Sequence, residues 1–267
     1  MQKNVQEDRI LLEIGCGSGS SCIPIIKQCS EMKCSPDEDG STRRILLACD
    51  SSSVAVDTTL RFVAKFVEQE EGTNDGETKK IPCKNILFDA FVADPSLSME
   101  EANVSFVHEV KTAYKQLISK DSAADHKVDN SESVLPSFEE GVAGIVLMVF
   151  VLSAVTPSRV ERFLQQIYQT TKPGGKVCFR DYGLYDMPML RFDSTAECKS
   201  DGDDPVFVRG EGTIARFFSI ESTRDLFETA GFMTEELRYC TVFNNNRKTG
   251  QKLKRVFVHG VFEKPIT

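Results

Sequence analysis

Strand and helix signals alternate along most of this chain, and the first strand runs directly into a glycine-rich turn, a combination that few folds accommodate. Arg9–Ile14 reads as a buried strand and Gly15-Cys16-Gly17-Ser18-Gly19 as the turn. Cys22, Ile25, Ile26 and Cys29 follow at the i, i+3, i+4, i+7 spacing of one helix face. A second strand, Ile45–Cys49, ends at Asp50 and leads into a helix face of Val56, Leu60, Val63 and Val67. A third strand, Asn85–Ala93, ends at Asp94, and Val142–Leu152 reads as a fully buried central strand. Thr156-Pro157 then supplies an N-cap and first-turn proline for a helix burying Val160, Phe163, Leu164 and Ile167. Lys172-Pro173-Gly174-Gly175 stops that helix before a strand at Lys176–Asp181. A last helix near Glu221–Ala230 and two strands, Glu235–Phe243 and Lys254–Glu263, close the chain. Alternation of this kind predicts an α/β fold whose parallel strands are joined by crossover helices.

Three polar stretches interrupt the rhythm, near residues 31–42, 68–80 and 95–140. Their Asp, Glu, Ser, Asn and Lys content predicts solvated inserts, with a helical part at Val104–Ile118 in the third. The whole chain, 1–267, is expected to be one domain carrying these inserts.

Charge is uneven. The net charge is −8, yet residues 171–267 hold 15 basic and 14 acidic side chains against 17 and 26 before them. Arg247, Lys248, Lys252, Lys254 and Arg255 fall within nine positions that contain no acid, on an expected hairpin turn. The total argues against a nucleic-acid binder, while the cluster keeps one open. No apolar run is long enough for a membrane helix, and the opening MQKNVQEDRI has no signal core. Nine cysteines without a C-x-x-C pair and three histidines predict no metal site, and free thiols suit a reducing, cytoplasmic or nuclear setting.

The glycine turn carries the first chemical signal. Glycines let a backbone pass close beneath a ligand, and a following helix offers unpaired N–H groups. Position 20 is Ser, so the dinucleotide pattern G-x-G-x-x-G is not met, and the Gly-Lys-Ser/Thr of a P-loop is absent. The run Glu13-x-Gly15-x-Gly17-x-Gly19 instead resembles the nucleoside-binding loop of class I S-adenosylmethionine methyltransferases. Asp50 and Asp94 close the next two strands, where carboxylates can accept ribose hydroxyls and an adenine amine.

Later motifs are more specific. Phe150-Val151-Leu152-Ser153-Ala154-Val155 is followed by Arg180-Asp181-Tyr182-Gly183-Leu184-Tyr185-Asp186 and Met189-Leu190-Arg191-Phe192. Phe207-Val208-Arg209-Gly210-Glu211-Gly212-Thr213, then Arg216-Phe217-Phe218 and Arg255-Val256-Phe257, complete the set. Together they resemble the tRNA 3-methylcytidine methyltransferases, closest to the branch acting on serine tRNAs. The resemblance implies a Rossmann-like class I fold, a mostly parallel seven-stranded sheet with an antiparallel final strand. It implies S-adenosyl-L-methionine as cofactor, with Glu13, Gly15, Gly17, Gly19, Asp50, Asp94 and Val149 around it. Only about eight residues precede the first strand, so the family's N-terminal helical segment is expected to be missing.

The implied reaction is methylation of N3 of a cytosine in the tRNA anticodon loop. N3 has a free lone pair at neutral pH, so in-line positioning matters more than a general base. The atom lies on the Watson–Crick edge, so the base must be unpaired or flipped out. Asp181, Tyr182 and Asp186 are the expected catalytic set, facing the positive charge that develops on the base. Arg191, Arg209 and Arg216, with the Arg247–Arg255 cluster, are the expected phosphate contacts. The expected partners are serine tRNA and seryl-tRNA synthetase. The residues alone also leave open a class I methyltransferase acting on a small molecule or protein, or an inactive binding protein.

Overall fold

The computed structural model describes residues 9–31, 44–71, 86–124, 141–192, 198–201, 204–245, 250 and 252–266. Its frame is set by short apolar segments that cannot remain in water. β1 (Arg9–Ile14), β2 (Arg44–Asp50) and β3 (Ile86–Val92) pair in parallel, with Leu12 opposite Leu47 and Leu46 opposite Phe88. Parallel neighbours need long crossovers, supplied by α1 (Cys22–Glu31) and α2 (Ser53–Glu71). Short α3 (Met99–Ala102) and long α4 (Phe106–Ala124) then lead to β4 (Ala143–Val149), which pairs with the other side of β1. The chain therefore reverses its direction of travel across the sheet between β1 and β4, and open α/β sheets bind ligands at such a switch, outside the carboxyl ends of the strands.

α5 (Pro157–Thr170), β5 (Thr171–Tyr182), a small antiparallel sheet of β6 (Cys198–Asp201), β7 (Asp204–Val208) and β8 (Ile214–Arg216), and α6 (Ile220–Thr229) follow. β9 (Met233–Asn245) and β10 (Lys252–Glu263) finish the main sheet, whose order is β3-β2-β1-β4-β5-β10-β9. β10 is antiparallel to both of its neighbours, so it alone runs against the other six strands. The expected seven-stranded sheet with an antiparallel final strand is the observed one. The three-stranded β6-β7-β8 sheet was not foreseen.

Two expectations about burial need correction. The third polar stretch is not a solvated insert throughout, because α4 buries Phe106, Val110, Ala113, Tyr114, Leu117 and Ile118 against the sheet. Polar residues on its outer face dominate the composition and mask a regular helical stripe. Of the other two stretches, Glu31 ends α1 and Glu68–Glu71 end α2, and the remainder lies outside the described residues. The second correction concerns Val142–Leu152. The strand ends at Val149, and only one of its faces is covered: Val146 and Met148 are buried, whereas Ile145 is 44% exposed. β2, with helices on both faces, buries five consecutive residues. An apolar run alone does not reveal whether both faces of a strand will be packed.

The helix expected at Thr156-Pro157 starts there, although the Thr156 side chain makes no capping bond. The strand after it begins five residues earlier than expected and absorbs Lys172–Gly175. α6 is capped by Ser219, whose side chain accepts the Ser222 N–H, and its Phe227 stacks on Phe262 at 3.8 Å.

Candidate functional site

At the switch point a cavity of about 620 Å³ opens beyond the ends of β1, β2, β3 and β4. The glycine turn forms one wall. Cys49 at the end of β2 accepts the N–H groups of both Gly15 and Cys16, at 2.8 and 2.9 Å. Asp50 continues the clamp: one carboxylate oxygen accepts Gly17 N–H at 3.0 Å and the other accepts Ser52 N–H at 2.9 Å. Gly15 lies at φ +71, where a side-chain carbon would meet Val151 Cγ2 at 2.5 Å, so no larger residue fits. Gly17, at φ +54, faces open space for at least 4 Å, a cradle shaped for something other than protein.

The predicted cofactor residues divide. Gly15, Gly17, Asp50 and Asp94 line the cavity. Asp94 accepts Ser96 N–H through one oxygen at 2.8 Å, which leaves its second oxygen able to accept an amine. Glu13, Gly19 and Val149 are not on the wall. Glu13 is buried beneath the turn, where the Ser21 hydroxyl and the Cys22 thiol donate to it. Burial raises its pKa, and those two bonds only partly offset the effect. It braces the turn from below. Val149 gives way to Phe150 and Val151, which do line the cavity and which strand periodicity did not single out. Phe150 has φ +59, and that left-handed turn swings the chain past Val149 to face the ligand space.

The carboxylates expected to do chemistry are elsewhere. Asp181 is fully buried, accepting Ser153 N–H at 3.0 Å and Tyr182 N–H at 2.8 Å. Burial pushes its pKa up to about 6 despite those bonds. Asp186 is fully buried too, gripped by the Arg255 guanidinium through two nitrogens at 2.9 Å and by Val256 N–H at 2.9 Å. Neither lines the cavity. Tyr182 is half-buried in an aromatic cluster with Phe150, Phe217 and Phe257.

Two expected phosphate contacts are likewise engaged inside the protein. Arg216 is buried and holds Asp204, with its Nε and Nη2 each 3.0 Å from one carboxylate oxygen, and Arg255 holds Asp186. A carboxylate partner occupies both guanidinium groups, and Arg216 is buried besides, where the sequence reading expected phosphate contacts. Arg191 is exposed, with Nη2 3.3 Å from Met187 Sδ. Arg209 spans its own turn to Thr213 and Ile214. Lys252 and Lys254 are exposed on β10, and Arg247 and Lys248 lie outside the described residues. Among the described residues no group of His, Cys, Asp and Glu is arranged to hold a metal, and no helix is long and apolar enough to cross a membrane.

This cavity suits a nucleoside with a charged tail: an open glycine cradle, a carboxylate at each of two strand ends, and an apolar opposite wall. The comparisons agree with it. The family model described as "Methyltransferase domain" matches residues 2–237. A tRNA N(3)-methylcytidine methyltransferase of Drosophila melanogaster is 29% identical over 262 residues, 98% of this chain and 60% of that protein. The tRNA N(3)-cytidine methyltransferase METTL6 of Homo sapiens is 36% identical over 148 residues, 55% of this chain and 47% of that one. This chain thus spans between about half and three fifths of these relatives' length. Among solved structures, a SAM-dependent methyltransferase from Methanosarcina mazei superposes with a TM-score of 0.52 at 17% identity, covering 98% of this chain and 95% of the other, a likeness of fold. A family model spanning most of the chain, the 3-2-1-4-5 strand order and a cavity at its switch point lined by the glycine turn and two strand-end carboxylates lead to one conclusion: the chain belongs to the class I S-adenosylmethionine-dependent methyltransferases.

Proposed function

We propose that this chain is the methyl-transferring domain of a tRNA methyltransferase that modifies N3 of a cytosine in the anticodon loop. The observation that carries the reading is the likeness to the Drosophila tRNA N(3)-methylcytidine methyltransferase across 98% of the chain, which takes in the stretch from Arg180 to Arg255 as well as the cofactor loop. The motif of residues 180–192 supports serine tRNA as the substrate. The net charge of −8 supports a helper protein such as seryl-tRNA synthetase, since an acidic surface attracts a polyanion weakly. A cytoplasmic or nuclear setting goes with that substrate.

S-adenosylmethionine, when bound, supplies a methyl group activated on a sulfonium. The protein's work is then to hold acceptor and donor in line and to exclude water. Gly15 and Gly17 would offer the cofactor close backbone approach, and Asp50 and Asp94, which line the cavity, would accept the ribose hydroxyls and the adenine amine respectively. Phe150 and Val151 form the apolar wall opposite. Asp181 and Asp186 act as positioning residues. Asp181 fixes the turn at Leu152–Ala154 through Ser153 N–H, and Asp186 ties the loop after β5 to β10. Tyr182 supports the Phe150 ring from within the cluster, at 5.0 Å between ring centres.

The test is mass spectrometry of tRNA nucleosides after incubation of the chain, with and without seryl-tRNA synthetase, with isotope-labelled cofactor. Labelled 3-methylcytidine in the serine tRNA fraction is the expected result. Label that survives ribonuclease treatment in a protein or small-molecule fraction, with none in tRNA, would overturn it.

A further inference from the structure

The aromatic cluster beside the cavity contains a ring whose backbone and backing an apolar cofactor wall does not require. Phe150 is held at φ +59, a conformation that bulky L residues rarely adopt. The turn is fixed there because Phe150 N–H donates to the Arg180 carbonyl at 2.8 Å. Strained backbone of this kind persists where surrounding structure enforces it, commonly at a binding site. Its effect here is to lay an aromatic ring on the cavity wall, 39% exposed, in a position where a packed apolar side chain would otherwise be buried.

The ring is rigidly backed. Tyr182 stacks on it at 5.0 Å with an interplanar angle of 24°, and Phe257 meets it edge-on at 5.3 Å. The Arg180 guanidinium lies 4.4 Å from the centre of Phe257 and 6.0 Å from that of Phe150, and its Nε is buried without a hydrogen-bond partner. A buried donor left unpaired is costly unless something else satisfies it. Asp181 and Asp186 have their oxygens committed to backbone and to Arg255, so a planar π-face, not a carboxylate, is what the cluster presents to an incoming acceptor.

We propose that Phe150 is the platform on which the unpaired acceptor base stacks, with the Arg180 guanidinium, packed against Phe257, helping to hold the ring cluster in place. The proposal rests on the nucleic-acid reading above and names the subsite it requires. Stacking holds a flipped base flat and at fixed height relative to the methyl donor. A base that becomes cationic on methylation gains further from the negative face of the ring.

The experiment uses the full chain with S-adenosylhomocysteine and a short single-stranded RNA carrying one fluorescent cytosine analogue. Wild type and Phe150→Tyr are expected to quench the analogue on binding. Phe150→Leu is expected to lose the quench and, at saturating S-adenosylhomocysteine, to bind the RNA about tenfold more weakly; the affinity for S-adenosylhomocysteine is measured alongside, because Phe150 also lines its cavity. Phe150→Met keeps volume without a π-face and repeats the test should the Leu variant melt early. Equal quenching in the Leu or Met variants, or none in wild type, overturns the platform. Methylation of tRNA is scored in parallel. Phe150-dependent quenching without any methylated cytosine would sink the tRNA reading and leave the platform standing, and methylation with Phe150-independent quenching would do the reverse.

Discussion

Asp50 and Asp94 sit on the cavity wall, whereas Asp181, Asp186 and Asp204 are buried to the point of having no solvent contact at all. All five stand in or beside strands; the sequence marks Asp50, Asp94, Asp181 and Asp186 as site candidates and does not mark Asp204. The wall pair accept backbone N–H bonds, Asp50 from Ser52 and from Gly17 of the glycine turn and Asp94 from Ser96, and keep acceptor capacity toward the ligand space. The buried three spend theirs on protein: Asp181 on Ser153 and Tyr182, Asp186 on Arg255 and Val256, Asp204 on Arg216, Ser219 and Ser222. The contrast separates carboxylates that hold a ligand from those that hold the framework around it. Removing a wall carboxylate should cost binding and spare stability, and removing a buried one should do the opposite.

The largest effect expected is at Asp204, which joins β7, β8 and the first turn of α6 through Arg216, Ser219 and Ser222. Asp204→Ala leaves the Arg216 guanidinium, 3% exposed, without its carboxylate. Breaking a buried pair from one side costs about 3–5 kcal/mol. Urea denaturation should show that loss, and a variant within about 0.5 kcal/mol of wild type would erase the distinction between the two sets.

Asp181 gives a pH-dependent version of the same contrast. Its pKa is raised from 3.8 to about 6 by burial, so the folded state binds a proton more tightly than the unfolded state. Stability from this group is therefore fullest below about pH 4 and is lost as pH rises through about 6. At 1.36 kcal/mol per pKa unit the loss amounts to about 3 kcal/mol. Asp181→Asn does not titrate, so the stability of wild type relative to that variant should fall by about this much between pH 4 and pH 7. A flat difference would mean that Asp181 is better solvated than its zero exposure implies.

How much of this contrast is legible in the sequence depends on the distance between partners. The cofactor half of the site is written in adjacent residues: a strand, a glycine turn and a helix stripe within twenty-odd positions, with Asp50 marked by the end of the next apolar strand. The framework half is not. Asp186 meets Arg255 across 69 positions, and Asp204 meets Arg216 through a three-stranded sheet whose segments are too short to show a period. An arginine's type says that it can bind a phosphate, but its burial says that it does not, and burial depends on the assembled fold. The same holds for Phe150, whose left-handed backbone has no signature in its neighbours; the helix of α4 does show in the sequence at Val104–Ile118, but its burial against the sheet does not.

On the wall itself, Asp50→Ala should weaken cofactor binding by about 1.5–3 kcal/mol, the worth of hydrogen bonds to a charged group. Part of that loss will arise indirectly, because Asp50 also holds Gly17 N–H and so shapes the cradle. Asp50→Asn separates the two contributions, since an amide oxygen can still accept one backbone N–H while the charge is gone. Calorimetry should place Asn between wild type and Ala, with melting temperatures of both variants near that of wild type. Unchanged cofactor affinity in the Ala variant would remove Asp50 from the site.

The smallest effects belong to the cations left on the surface once Arg216 and Arg255 are discounted. Lys252 and Lys254 are exposed on β10, and Lys254 pairs across the ladder with the exposed Phe243. Neither lysine has a carboxylate within salt-bridge distance among the described residues, so neither has a structural task to lose. Lys252→Ser and Lys254→Ser should therefore leave stability within about 0.5 kcal/mol. If they meet phosphates, each should lower RNA affinity about equally for every sequence tested and flatten the salt dependence of binding by about one unit in the log–log slope. Arg255→Lys is the control, because it retains a positive charge while breaking the two-nitrogen grip on Asp186. It should cost stability and leave the salt slope unchanged. A salt slope that falls in Arg255→Lys and not in the two lysine variants would show that the paired arginine, and not the exposed lysines, faces the RNA.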